Sequence, residues 1–542
     1  MSSDDAPRAG VVRRWRRRTI WLLGAAVLAI SLYWLAGLGT ERYVRKQLDA
    51  AAASVCAVVD PGDPPMIAVD LFDRSVSVTG LVLLPVAGCS DVALRVQGRI
   101  DTVHVSGLSL MGVLFRDRAR MDELQLSVAQ AWITMLPDSM QAISNAQVKN
   151  EQKHWSIAIG SFDVALRSVT AVTQAGDTIR LQGNGFQAEG NDLRFTIGHE
   201  DALASLGCGN LQLSSDSLVG SMANGYNWSI GRCVLDQQRG TLELLRASIG
   251  PALGLEAFSA TLPYETDVIE ARVDTLSIAG LNMAAAFAQR TCAVRSVRMA
   301  SSTVTVLRDK VAVDGDDPEK PLIGRLVRSL PVGTGADTII VHGLDVTYHE
   351  RVDRQRGYAV IPITGINATI TGAKHGTIDT SALVLRARAI AFGTASVLLF
   401  LRTVVSDTTD RFDIEAAVGP MPFAAINAAT GPLLDIRATQ GRIDSLIYRM
   451  TADDRRASGM VRMNHRGLKL ASGGRKSGET GNQIESALLN ALVRKTSRNK
   501  IGNARDGRFA FERRRDRAIF NYLWSGLREG VKAELLPEAL IK

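Results

Sequence analysis

The 542-residue sequence lacks the cysteine and histidine patterns that hold metal ions. Its cysteines form no C-x-x-C pair and have no histidine at zinc-ligand spacing, so we expect no metal site and no cofactor. The five cysteines are Cys56, Cys89, Cys208, Cys233 and Cys292. An oxidising compartment would allow Cys56 to pair with Cys89 and Cys208 with Cys233, leaving Cys292 free. The alternative is that all five are small buried side chains.

Sequence signatures of enzymes are also missing. The chain has no G-x-S-x-G elbow, no G-x-x-x-x-G-K phosphate loop, no H-E-x-x-H and no strand followed by G-x-G-x-x-G. An Asp-Thr pair does recur, beginning at Asp101, Asp274 and Asp337. Repetition at equivalent places favours turn-forming aspartates, which bond nearby backbone N–H groups, over catalytic carboxylates. We therefore expect a protein that is not an enzyme.

Positive charge is scarce away from the two ends of the chain. Of the formal net charge of +8, residues 1–18 contribute +4 and residues 494–517 contribute +7, so the remaining residues sum to −3. A nucleic-acid surface needs basic residues along the binding element itself. We therefore expect no nucleic-acid partner.

Charged residues are absent between Thr19 and Leu38, a stretch long enough as a helix to cross a bilayer. Its large apolar residues are Ile20, Trp21, Leu22, Leu23, Leu28, Ile30, Leu32, Trp34 and Leu35. Six arginines in residues 1–18 predict a cytoplasmic tail ahead of a transmembrane anchor at 19–38, with the rest of the chain translocated. A cleaved signal peptide is the less favoured alternative, because its apolar run is usually shorter and no A-x-A site follows.

The chain repeats itself at an offset of 173 residues. Residues 99–108 read RIDTVHVSGL and residues 272–281 read RVDTLSIAGL. The register persists, since Leu124 and Leu126 correspond to Val297 and Met299 at the same offset. A third copy runs over 337–344 and a weaker one over 177–183. Self-similar strand units predict an elongated array rather than a compact catalytic domain.

Period-two alternation dominates from Met66 onward and predicts strands with one buried face. After a helical and Pro-rich stalk at 41–65, we expect a β-groove over 66–470, with short helices near 281–290, 321–330 and 422–430. The residues predicted to line the groove are Val76, Val78, Val103, Val105, Leu108, Leu110, Leu124, Leu126, Leu276, Ile278, Leu281, Met283, Val297, Ile339, Val341 and Leu344.

Four glycines mark places where the apolar positions change parity along the strand: Gly80, Gly107, Gly280 and Gly343. Keeping apolar side chains on one face across such a change requires an extra residue, which is a β-bulge, and glycine tolerates the bulge backbone. Recurring bulges would curl the sheet. The predicted fold is mainly β, an elongated, curled antiparallel sheet with an N-terminal transmembrane helix and short C-terminal helices.

The last region, 471–542, reads as a basic linker followed by amphipathic helices. A helix near 518–527 would place Ile519, Phe520, Leu523, Trp524 and Leu527 on one side. We expect it to cap the end of the groove, as repeat arrays require, and membrane docking is the less favoured alternative. The basic segment 494–517 is predicted to be a solvated surface. The more specific alternative hypothesis is that it binds anionic lipid head groups.

Several blocks resemble one known family. RIDTVHVSGL, followed by Leu110, Leu114 and a strand at 123–128, resembles the recurring element of the AsmA-like proteins of Gram-negative envelopes. ASGMVRM at 457–463 with GLKL at 467–470 resembles the strand pair near the family's end, although His465 and Arg466 stand where an aromatic and an acidic residue are common. FER at 511–513 and SGL at 525–527 resemble its C-terminal close. These blocks cover a minor part of the chain.

The resemblance implies a single-pass inner-membrane protein whose bulk is periplasmic, with a β-groove related to the repeating-groove lipid transfer proteins. It implies that phospholipids or other acyl lipids bind in the groove and move toward the outer membrane, or that the protein maintains that membrane. Outer-membrane or periplasmic partner proteins would be met through the C-terminus. The family offers no catalytic residues. The rival hypotheses are a non-enzymatic scaffold for outer-membrane protein assembly and a structural envelope tether.

Overall fold

A computed structural model describes residues 39–86, 94–109, 118–135, 155–175, 177–197, 207–283, 285–286, 291–315, 319–376, 382–472, 494, 497 and 505–536. The fold is mainly β, as predicted, with few helices. The chain divides into two compact units, Met1–Leu211 and Gln212–Lys542. The predicted membrane anchor at 19–38 lies outside the described residues. Among the helices within them, none is both long and apolar enough to cross a membrane.

The N-terminal unit begins with a helix, α1, over residues 39–54, within the predicted stalk. Its strands are β1 (Ala57–Val59), β2 (Met66–Asp70), β3 (Ser75–Pro85), β4 (Leu94–Ser106), β5 (Arg118–Met135), β6 (Trp155–Ala175) and β7 (Asp177–Ile197). Strands β2 to β5 pair antiparallel in chain order, β5 pairs parallel with β6, and β6 pairs antiparallel with β7. Strand β1 pairs with β3, so the sheet begins before the predicted boundary at 66.

The strands assigned to the C-terminal unit are β8 (Asn210–Ser215), β9 (Ser217–Ser221), β10 (Tyr226–Asp236), β11 (Thr241–Pro251), β12 (Asp267–Ala279), β13 (Ala293–Asp309), β14 (Thr334–Arg351), β15 (Ala359–His375), β16 (Ala382–Ala391), β17 (Ala395–Val404), β18 (Phe412–Val418), β19 (Met421–Pro422), β20 (Ile436–Ala452), β21 (Arg456–Ser472) and β22 (Gly507–Glu512). Its helices are α2 (Leu255–Ser259), α3 (Ile323–Arg328), a 3₁₀ turn (Phe423–Ile426), α4 (Asn427–Leu434) and α5 (Ile519–Leu535). Strand β22 extends the sheet past the predicted boundary at 470.

The purely antiparallel sheet that we predicted is wrong, because each unit contains one parallel pair. Strand β13 pairs parallel with β14, as β5 does with β6. Parallel neighbours need a crossover of a dozen or more residues. The connection from β13 to β14 runs from 310 to 333 and includes α3. Period-two alternation is the same in both kinds of pairing, so it carries no information about strand direction.

The sequence repeat is also a repeat of strand pairing. Val103 pairs with Leu126 across β4 and β5, and Leu276 pairs with Met299 across β12 and β13, at the same offset of 173. In both units the second of these strands is the one that joins the parallel neighbour. The two copies therefore share pairing partners and strand direction as well as residues.

Two of the four predicted bulge glycines lie inside strands. Gly80 has φ +71 within β3, and Gly343 has φ +64 within β14, where the pairing register with β15 shifts between Val341 and Leu344. Gly107 and Gly280 also have positive φ, but each directly follows the last residue of its strand. The prediction that these two glycines continue a bent strand is therefore wrong.

The lining residues predicted beyond Gly107 and Gly280 do not belong to the sheet. The Leu108 amide donates to the Arg74 carbonyl at 3.1 Å, and the Leu281 amide donates to the Gly240 carbonyl at 2.9 Å, so both segments turn toward the tip of a preceding hairpin. Met283 lies in a short helical turn, and Leu110 lies outside the described residues.

A line of left-handed residues crosses the sheet of the C-terminal unit. Arg246 in β11, Ser301 in β13, Gly343 in β14 and Gly365 in β15 have φ between +49 and +64. Arg246, Ser301 and Gly343 fall between the row of Leu276 and the row of Val273, and Gly365 falls one row further along, between Ile366 and Ile363. The apolar residues on either side of Gly343, Val341 and Leu344, are three apart rather than two, so the irregularity lets both lie on one face.

The predicted aspartate turns are wrong as well, because all three aspartates lie inside strands. Asp101 accepts from Arg167 at 3.3 Å, and Asp337 pairs with Lys374 at 2.5 Å. Among the cysteines, Cys56 is disulfide-bonded and its predicted partner Cys89 lies outside the described residues. Cys208 and Cys233 form no disulfide with each other, which contradicts their predicted pairing, and Cys292 forms none, as expected.

Three arginines of the C-terminal basic segment form ion pairs with acidic residues of earlier connections. Arg513 pairs with Asp454, Arg515 pairs with Glu319 at 2.6 Å, and Arg517 pairs with Glu265 at 2.9 Å. The Arg517 side chain is only 7% exposed. For Arg513 and Arg517, which are buried, both predicted roles, a solvated surface and a head-group site, are wrong, whereas the Arg515 side chain is exposed. They join the end of the chain to connections roughly 60 to 250 residues earlier.

We expect Gly343→Ala to lower the free energy of unfolding of the C-terminal unit by about 1 kcal/mol, because an alanine at φ +64 is strained even though no atom lies within 4 Å of the new methyl group. Urea denaturation followed by circular dichroism measures the loss. Gly343→Asn is the matched control and should lose less, since asparagine tolerates this conformation. Equal losses would show that strain is not the cause.

We expect Arg517→Met to lower the free energy of unfolding by about 2 kcal/mol, because buried Glu265 loses one of its two arginine partners and keeps only Arg308. Arg528→Met, which changes an exposed arginine of α5, should alter stability by less than about 0.5 kcal/mol. The same urea transition compares the two variants. A similar small effect from both would mean that the buried pair does not hold the segment.

Candidate functional site

The predicted lining residues of the N-terminal unit come together on one face of its sheet. Two rows of directly paired side chains cross six strands. One row is Ile67, Val78, Val103, Leu126, Val164 and Ala188, and the other is Val69, Val76, Val105, Leu124, Phe162 and Gly190. We call this surface, with its counterpart in the C-terminal unit, the apolar face.

The apolar face of the C-terminal unit is longer. One row consists of Leu235, Leu242, Ile278, Val297, Ile339, Ile370, Leu385, Leu401, Ile414, Met450, Gly459 and Phe509. The adjacent row begins with Cys233, Leu244, Leu276, Met299, Val341 and Ala368. Leu344 lies beyond the left-handed line, opposite Ile366. The predicted lining set named no residue of β10, β11 or β16 to β18, although these strands also alternate.

The opposite face is polar in both units. In the N-terminal unit it carries Ser77, His104, Gln125 and Asp163 in one row, and the Ser77 hydroxyl lies 2.7 Å from His104 Nδ1. In the C-terminal unit Glu415 and Arg449 face each other across β18 and β20 and form an ion pair at 2.7 Å. A sheet with one polar and one apolar side should keep the polar side in water and cover the other.

Burial along the apolar face changes within the C-terminal unit. Between β10 and β15 most row residues are half-buried, although Leu235 and Val341 are buried, and Ile269 on the same face is 42% exposed. From β17 to β22, the row residues Leu401, Ile414 and Met450 are buried in the main hydrophobic core. The same surface is therefore a packed core at one end and an accessible apolar wall at the other.

Short helices cover the buried part of the apolar face, and α2 packs on β11, β12 and β13 in the other part. Helix α3 packs on β15 and β17, α4 packs on β15 and β20, and the 3₁₀ turn packs on β20. Asn427 fixes α4 to the sheet by hydrogen bonds with both the amide and the carbonyl of Ala438. Arg328 of α3 binds Asp410 at 2.6 Å. The cover over the apolar face is thus anchored by polar contacts at its edges.

Helix α5 covers β21 and β22 with a different side from the one predicted. Its buried residues are Tyr522, Gly526, Gly530 and Glu534, spaced by four. Ile519, Leu523 and Leu527 pack against the core, as the amphipathic pattern indicates, whereas Phe520 is 81% exposed and Trp524 is 45% exposed. The predicted inward placement of Phe520 and Trp524 is therefore wrong.

Glycine explains the rotation of α5. A Cβ at Gly526 would overlap the Tyr448 hydroxyl, and one at Gly530 would overlap Val461. The two glycines let the helix backbone approach the sheet, and the Tyr448 hydroxyl donates to the Leu523 carbonyl at 3.1 Å. A pattern of apolar residues predicts burial of aromatic side chains rather than of glycine. It therefore does not predict that the glycine side of this helix is buried, where small residues allow close contact.

Glu534 lies at the far end of this contact with its side chain fully buried and both carboxylate oxygens without a hydrogen-bond partner. Burial raises the pKa of Glu534 to about 7, although Arg505 and Arg494 lie nearby. The Arg494 guanidinium instead donates to the Glu534 carbonyl at 3.0 Å. A protonated carboxyl is the form that this site accommodates.

The described residues offer little for catalysis. Within these ranges, no three histidine, cysteine or acidic side chains stand together as metal ligands. Cys233 faces the apolar side in a row with Leu244, and burial raises the pKa of its thiol, which disfavours the reactive thiolate. No protein-family model and no curated protein matches this chain.

We expect Glu534→Gln to change how stability depends on pH. A carboxyl whose pKa is about 7 in the folded protein and near 4.3 in the unfolded chain makes stability fall as pH rises between those values. Glutamine removes this dependence, so the variant should gain stability relative to wild type at pH 8 and match it near pH 4. Urea denaturation at both pH values measures the difference.

Other groups that titrate in this range are present in both proteins and cancel in the comparison. A constant difference between variant and wild type across pH would contradict the raised pKa of Glu534, and would assign the effect of the substitution to packing alone.

Proposed function

We propose that the protein binds the acyl chains of lipids on the apolar face of its sheets and supports phospholipid movement or homeostasis in a Gram-negative envelope. The observation that carries the proposal is the unbroken pairing of apolar side chains, strand after strand, on a face whose row residues stay mostly half-buried between β10 and β15. Such a surface has no use in a soluble monomer unless something apolar covers it.

An acyl chain is the cover that fits these rows. Each methylene removed from water contributes about 0.8 kcal/mol, and the attraction is non-directional, so a chain can shift among equivalent positions along the rows. Six strands from β10 to β15 give about 24 Å of apolar wall, at about 4.8 Å for each spacing. A lipid lying across the strands would keep its head group at the strand ends, in water.

The covered end limits how far a lipid can travel within the C-terminal unit. Rows beyond β16 are filled by the protein's own side chains under α3, α4 and α5. We propose that a bound chain occupies the part between β10 and β15, and that passage further requires one of these helices to lift. The uninterrupted groove inferred from sequence alone does not describe this unit.

The family resemblance and the location remain part of the proposal. Repeated strand units, the paired motif near 457–470 and the closing segment after 511 support an AsmA-like protein of the inner membrane with its bulk in the periplasm. The proposal carries no catalytic step, metal or cofactor. It leaves phospholipids as the direct partners, with outer-membrane or periplasmic proteins met through the C-terminus.

Adjacent residues of β12 provide a test, because they alternate between the two faces. Benzoylphenylalanine in place of Leu276 lies on the apolar face, and in place of Ser277 it lies on the polar face. In cells of a Gram-negative bacterium grown on radiolabelled phosphate, we expect irradiation to attach phosphate-labelled lipid to the full chain at position 276. Position 277 is the matched control and should remain unlabelled.

The rival hypotheses predict different products. A scaffold for outer-membrane proteins would give protein adducts at position 276 with no phosphate label. A structural tether would give no adduct at either position, and equal lipid labelling at both positions would show that contact is not specific to the apolar face. Any of these three results contradicts lipid binding by the rows.

A further inference from the structure

The outward side of α5 carries a stripe of two aromatic residues followed by two cations. Phe520, Trp524, Arg528 and Lys532 are spaced by four and lie along one side of the helix. All four are exposed, and Phe520 and Trp524 are among the exposed large apolar residues of the chain. We call these four residues the aromatic–cationic stripe.

The stripe cannot turn inward while α5 is docked. The opposite side of the helix is fixed by Tyr522, Gly526 and Gly530 against the sheet, with the glycines in contact closer than any side chain would allow. The Tyr522 hydroxyl also donates to the Asp453 carbonyl at 3.1 Å. The aromatic rings therefore point outward because the helix is held in this rotation.

The charges beside the stripe are mostly positive. Arg528 and Lys532 both contact Glu529, the acidic residue that the described part of α5 places next to them, at 3.1 and 3.2 Å. Glu534, the other acid of the helix, is buried on the far side. Two cations share one carboxylate, so the stripe keeps a positive balance beside its aromatic end.

We propose that the aromatic–cationic stripe docks the C-terminal end of the protein on an anionic phospholipid surface. Tryptophan and phenylalanine enter the boundary between head groups and acyl chains, and arginine and lysine are attracted to the negative head groups above that boundary. A membrane with an apolar interior beneath anionic head groups matches the stripe, in which the two aromatic residues precede the two cations. The N-terminal half of α5 would enter more deeply than its C-terminal half.

This surface is separate from the apolar face, which lies beneath the other side of α5. Docking therefore does not depend on lipid binding between β10 and β15. In this proposal the two sides of α5 have different roles. The inner side covers the end of the sheet, and the outer side binds a membrane.

The full chain in phosphatidylcholine nanodiscs tests the proposal by cosedimentation with sucrose-loaded vesicles. We expect binding to vesicles that contain phosphatidylglycerol and weaker binding to vesicles of phosphatidylcholine alone. Phe520→Ser combined with Trp524→Ser should reduce binding at least roughly tenfold, because both rings lose their apolar contact. Arg528→Gln combined with Lys532→Gln should reduce it severalfold and lower its salt sensitivity.

Phe72→Ser is the matched control, because Phe72 is a similarly exposed phenylalanine in the N-terminal unit, and it should leave binding unchanged. Equal binding to both kinds of vesicle would overturn the anionic-lipid assignment. Wild-type binding that survives loss of both rings would overturn docking through the stripe. Labelling at position 276 is read separately, so a failure here is distinguishable from a failure of lipid binding by the rows.

Discussion

Cross-strand register is the constraint on which the rest of this structure depends. Side chains alternate between faces every residue, so a slip of one position in any strand would move its leucines and valines into the polar face. The rows of the C-terminal unit nevertheless stay apolar from Leu235 to Phe509. Left-handed residues in β11, β13 and β14 fall between the same two rows, so the alternation changes in these strands together, and Gly365 of β15 lies one row further along.

The sequence predicts this arrangement where alternation and repetition coincide. Val103 and Leu276, or Leu126 and Met299, are recognisable as equivalents, and their pairing follows because both members of each pair recur at one offset. The glycine positions predicted the course of the strands less well. Gly107 and Gly343 both adopt positive φ, yet one follows the end of a strand and the other lies within one, because glycine permits a left-handed residue without deciding what the chain does next. Arg246 and Ser301 carry no such signal.

Long-range contacts were beyond sequence reasoning for a different reason. Arg517 looked like part of a solvated basic segment, but it binds Glu265, 252 residues earlier. Strand direction between β13 and β14 is set by a connection whose path local patterns do not encode. The rotation of α5 depends on Gly526 and Gly530, whose importance is visible only once Tyr448 and Val461 lie opposite them. In each case the deciding partner is distant in sequence.

The covered and accessible parts of the apolar face differ in what is placed on them rather than in their own residues. Ile278 and Val297 are as apolar as Leu401 and Ile414, and they belong to the same row. A fold that needed only stability would gain by placing polar residues at half-buried positions, because exposed apolar surface costs about 25 cal/mol for each Å² left in water. The row remains apolar where α3, α4 and α5 do not reach. An apolar ligand on the part of the row that these helices leave uncovered would complete the burial of its side chains.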